Sequence, residues 1–107
     1  MQTVIQVIAN GSGSLRDRIV NHPRLEYYDL YVAAYKKQYR PHGWAKLRMY
    51  DGHAALNIEW HASTRTLIAR VGTRGGRPGA VTGAFVSFLV ERFSRHITAI
   101  SVVPSRR

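Results

Sequence analysis

From Trp44 to Tyr50 the chain alternates, setting Trp44, Lys46, Arg48 and Tyr50 against Ala45, Leu47 and Met49. Two following runs alternate in the same way and add Asn57, His61, Ile68, Arg70 and Arg74 to the polar set. Strand geometry would bring these residues to one surface. Cations interleaved with flat rings suit nucleic acid: charges neutralise phosphates, and rings or guanidinium planes stack on bases. Glu59 falls on the same face and opposes that chemistry unless it serves to fix an arginine.

A second candidate is the loop Gly72-Thr73-Arg74-Gly75-Gly76-Arg77-Pro78-Gly79. Glycines let a backbone come close to a phosphate, and a following helix offers free amides and its dipole. Arg74 and Arg77 flank Gly75 and Gly76 and supply charge. Asn10-Gly11-Ser12-Gly13-Ser14 is also glycine-rich, but it carries neither a P-loop GK[ST] nor G-x-G-x-x-G. There Ser14, three residues before Asp17, reads as a helix cap.

Five histidines (His22, His42, His53, His61 and His96) raise the question of catalysis. None pairs at the spacing of a metal site, and the chain has no cysteine, so no metal and no cofactor are expected. A metal-free ribonuclease needs a base, an acid and cations, which His61 or His53 could provide with Glu59, Arg70, Arg74 and a tyrosine. No G-x-S-x-G hydrolase signature occurs.

These side chains need a scaffold. Asp51-Gly52 is a two-residue hairpin signal, and Ser63-Thr64-Arg65 marks a second turn, so residues 44–74 form an antiparallel meander. Thr3 to Ala9 is β-branched and apolar on both faces, as a central strand would be. Leu15 to about Gln38 has helical spacing, broken near Asn21-His22-Pro23, with Pro23 opening the second part. Leu25, Tyr28, Val32 and Tyr35 would share one face of that second helix. Tyr27, Tyr31, Tyr35 and Tyr39 would form an i, i+4 row.

The last helix runs from about Pro78 to Phe93, and Val81, Ala84, Phe85, Phe88, Leu89 and Val90 predict that most of it is buried. Its small residues Gly79, Gly83 and Ser87 suggest a flat side packed on the sheet. Ile97 to Val103 is a final strand, apolar on both faces, before the basic tail Ser105-Arg106-Arg107. The order β-α-β-β-β-α-β makes one α+β domain over residues 1–107, with a mostly antiparallel sheet and its helices on one face.

Composition agrees with a folded domain. Hydrophobic residues make up 45% of the 107, enough for a core and too many for a disordered chain. No apolar run could cross a membrane and no signal peptide is visible, so a cytoplasmic protein is expected. Sixteen Lys and Arg against six Asp and Glu give a net charge of +10, which favours an anionic partner. Three functions follow. The first is a non-catalytic module binding RNA or DNA through Trp44, Lys46, Arg48, Tyr50, His61, Arg70, Arg74, Gly75, Gly76 and Arg77. The others are a toxin-like ribonuclease and a protein-assembly subunit. Ile5, Val7, Ile100 and Val102, or the opposite sets on the same strands, would leave an apolar strip on the uncovered side, and a homodimer is expected to cover it.

Overall fold

Alternation drives most of the architecture. In the computed structural model, which describes residues 2–35, 42–50, 54–73 and 77–104, six strands form one antiparallel sheet. They are β1 (Thr3–Ala9), β2 (Leu30–Ala34), β3 (Trp44–Met49), β4 (Ala54–His61), β5 (Thr66–Thr73) and β6 (Ile97–Val103). Spatial order is β2-β3-β4-β5-β1-β6, so the first strand is internal, as its two-sided apolarity predicts. Helices α1 (Leu15–Val20) and α2 (Gly79–Phe93) complete an α+β domain. The Asp51-Gly52 turn, His53, Lys36, Lys37, Tyr39, Arg40 and the basic tail lie outside the described residues.

One face of the sheet carries the core. Ile5, Val7, Leu30, Ala45, Leu47, Leu56, Ile58, Leu67 and Ala69 are fully buried, with Leu15 and Ile19 of α1 and Val81, Phe85, Phe88 and Leu89 of α2 in the same cluster. Both helices therefore cover this face. Register fixes the other. Arg48 opposes Ala55, Lys46 opposes Asn57, and Trp44 opposes Glu59 across β3 and β4. Asn57 in turn opposes Arg70 on β5, and Arg70 opposes Val4 on β1.

Among the described residues, 23–35, the helix expected from Pro23 to Gln38 is not formed. Leu25–Tyr28 makes one turn of 3-10 helix, Asp29 adopts a left-handed φ of 59°, and the chain then enters β2. Asp tolerates that conformation better than most residues. Val32 pairs with Leu47 and Leu30 with Met49, so the free edge of β3 captures the segment. The order thus gains a strand, β-α-β-β-β-β-α-β. The tyrosine row dissolves with the helix: Tyr27 sits on the 3-10 turn, Tyr31 on β2, and Tyr35 just past it.

Helix α2 keeps its expected bounds, but not all of its expected burial. Val90 is 52% exposed, and Gly79, Gly83 and Ser87 face outward. A methyl added at Gly79 or Gly83 would meet nothing within 4 Å, so the small-residue side packs on no backbone. Close approach occurs at Gly43 instead. There a Cβ would lie 2.5 Å from the Trp60 carbonyl oxygen, while the Trp60 amide donates to the Gly43 carbonyl at 3.0 Å.

Candidate nucleic-acid interface

The uncovered face gathers Lys46 and Arg48 on β3, Glu59 and His61 on β4, and Arg70 on β5. With strands about 4.8 Å apart, Lys46 and Arg70 flank Asn57 at roughly 10 Å, and Arg48 lies about 7 Å further along β3. Tyr50, following Met49, is 61% exposed, and its ring lies 4.9 Å from that of Tyr31, tilted by 40°. Tyr31 stands opposite Arg48. It joins this surface because its segment is a strand, and the helical interpretation hid it. The signal was available: Leu30 and Val32 point one way and Tyr31 the other.

Trp44 is different. Register puts it on this side, opposite Glu59, yet it is only 4% exposed and stands apart from the core cluster. Its ring offers no free face to a base. The buried Arg16 donates to the Trp44 carbonyl through Nε (3.1 Å) and Nη2 (2.8 Å), and to the Tyr35 carbonyl through Nη2. One arginine of α1 thereby joins the end of β2 to the start of β3.

Glu59 sits between two partners. Its Oε2 is 3.9 Å from Arg70 Nη1 and 4.0 Å from His61 Nε2. Its side chain is 28% exposed, against 48% for Arg70. At that distance and exposure the contact to Arg70 contributes at most about 1 kcal/mol. A depression of about 230 Å³ beside it is lined by Gln2, Trp44, Asn57, Ile58, Glu59 and Arg70. Among the described residues, no three His, Cys, Asp or Glu side chains gather into a metal-holding group.

Of the glycine-arginine loop, Arg74, Gly75 and Gly76 lie outside the described residues. Arg77 is exposed just before the start of α2. The first turn of α2 carries no acidic residue and no side-chain cap, which leaves its dipole unopposed there.

Several other cations have structural partners. Arg18 donates to the Ser12 carbonyl at 3.3 Å and Arg65 to the Gly13 carbonyl at 3.0 Å, so the first glycine loop turns oxygens toward arginines. Ser14 Oγ accepts from the Asp17 amide at 3.2 Å, forming the expected cap. Arg24 lies over the Tyr27 ring, and Arg92 lies near both Tyr27 and Tyr28. Tyr28 donates to Glu91 at 2.7 Å and accepts from Arg92 at 3.1 Å.

His22 is wedged edge-on against Phe88 and Phe93, and its Nδ1 accepts the Arg24 amide at 3.1 Å. Partial burial, then the nearby Arg92 and Arg24, push its pKa below the ordinary imidazole value. It packs as a neutral ring on the helix side. Among the described histidines only His61 contacts a carboxylate.

No family model matches this chain, and neither does any curated protein or solved structure. Among the described residues no helix is long and apolar enough to cross a membrane.

Proposed function

We propose that this domain binds nucleic acid, RNA or DNA, along the uncovered face of its sheet and works in the cytoplasm without a cofactor. One observation carries the proposal: Lys46, Arg48 and Arg70 share that face with the Tyr31–Tyr50 ring pair. Cations at roughly 7–10 Å intervals can follow a phosphate backbone while an exposed tyrosine stacks on a base. Glu59, 3.9 Å from Arg70, offsets part of the positive charge of this face. Arg77, with Arg74, Gly75 and Gly76, would extend the basic track to the start of α2. A homodimer belongs to the same proposal.

The experiment is a salt series of binding to labelled single-stranded RNA and duplex DNA, with the RNA afterwards run on a denaturing gel. Binding should weaken linearly in log salt. Arg48→Ala and Arg70→Ala should each reduce the slope by about 0.7–0.9, the loss of one phosphate contact. RNA cleaved by the parent and spared by His61→Ala, with the fold intact, would establish a metal-independent ribonuclease built on Glu59, His61 and Arg70. Negligible binding at moderate salt would leave a protein-assembly subunit.

A further inference from the structure

We infer that β6 pairs antiparallel with β6 of a second copy about a twofold axis at Ile100, joining two sheets into one. The inference does not depend on nucleic-acid binding. β6 bonds to β1 along one side, and among the described residues no strand lies on the other. Edge strands that remain single are usually short, bulged, charged or interrupted by proline. The opposite edge is protected in this way. β2 has five residues, its register shifts between Val32 and Ala34, and Arg16 anchors the chain just beyond it. β6 has seven residues, Ile-Thr-Ala-Ile-Ser-Val-Val, with no charge and no proline among them; its register with β1 shifts at Ile8/Ala9, and it then pairs regularly from Ala99 to Val103.

A second copy is the occupant that fits. The chain carries +10, so two copies meeting through most other surfaces would repel, whereas this edge is neutral. The strand is also self-complementary. With the axis at Ile100, Ile100 faces its own counterpart and Ala99 faces the partner's Ser101. These are small or β-branched pairs with no like charges opposed. Val102 and Val103, 42% and 55% exposed in the single chain, would be covered.

Such an axis stands perpendicular to the sheet, which keeps all helices on one side and both uncovered faces on the other. The two β5 strands, each with an Arg70, would then lie five strand spacings apart, about 24 Å.

The test is sedimentation of three forms of the full chain at tens of micromolar, with circular dichroism as the check on folding. Ala99 and Ser101 are exposed in the single chain, so substitutions there leave the core intact. The parent should be a dimer. Ala99→Lys with Ser101→Lys opposes lysines twice across the axis and should weaken association roughly tenfold or more. Ala99→Glu with Ser101→Lys sets Glu against Lys in both pairs and should restore the dimer. A monomeric parent, or a double-lysine form as dimeric as the parent, would overturn the inference. A Glu/Lys form as dissociated as the double-lysine form would overturn the register. No nucleic acid is present in this assay, so its outcome is separate from that of the binding experiment.

Discussion

One methyl group at Gly43 should destabilise this domain, and the same methyl at Gly83 should stabilise it. At Gly43 a new Cβ would lie 2.5 Å from the Trp60 carbonyl oxygen and 3.1 Å from both the amide nitrogen and Cβ of Trp60. The obstruction is the backbone of β4, which cannot swing aside as a side-chain tip would. Relief requires the loop to retreat, which stretches the 3.0 Å bond from the Trp60 amide to the Gly43 carbonyl. Overpacking costs about 1–3 kcal/mol and a lost hydrogen bond about 1 kcal/mol, so Gly43→Ala should cost about 2–4 kcal/mol. Gly83 lies inside α2 with open space beyond it, and alanine there should contribute about 0.5–1 kcal/mol. Urea unfolding of both variants, with unchanged m-values, should show a gap of about 2.5–5 kcal/mol between them. A Gly43→Ala protein within about 0.5 kcal/mol of the parent would refute the backbone-approach account.

Three further outcomes are expected. His22 has a folded pKa below its unfolded value, so the unfolded chain takes up the proton first. Its stabilisation is complete above the ordinary value of 6.5 and is lost as pH falls through the folded pKa. His22→Phe should therefore flatten melting temperature against pH on the acid side, and equal slopes in the two proteins would show that another group is responsible. Arg16→Met should cost about 2–4 kcal/mol, because the Trp44 and Tyr35 carbonyls lose a charged donor, whereas Asp17→Asn at its exposed partner should cost less than about 1 kcal/mol; chemical denaturation compares them. Glu59→Gln, which removes the carboxylate beside Arg70, should tighten nucleic-acid binding in low salt by about two- to fivefold in a fluorescence titration, and weaker binding would mean that Glu59 positions Arg70 productively.

The meander was legible because each strand repeats one pattern. Leu47, Leu56 and Val71 align inward, and Lys46, Asn57 and Arg70 align outward. The end of α2 was legible from the exhaustion of its apolar spacing at Phe93. The segment from Leu25 to Tyr35 was not, since Leu25, Tyr28, Val32 and Tyr35 fit a helix while Leu30 and Val32 fit a strand equally well. A distant partner, the open edge of β3, decided between them, and no local propensity contains that information. Arginine roles were hidden for a related reason. Arg16 and Arg70 are alike as residue types, yet one is buried against two carbonyls and the other crosses an uncovered face. Alternation likewise gives the side on which Trp44 emerges and says nothing of what covers it.

The position of β1 has a consequence for how the chain assembles. Ile5 pairs with Ala69 and with Val102, so β1 is held by two strands that follow it much later in the chain. The hairpins joining β2 to β5 are local and can close while later residues are still being synthesised. β1 takes its place beside β5, and β6 joins the sheet through β1. Closing such long loops is slow relative to hairpin formation. Until β1 docks, the sheet ends at β5 and its edge at Leu67, Ala69 and Val71 is open, a site where intermediates aggregate.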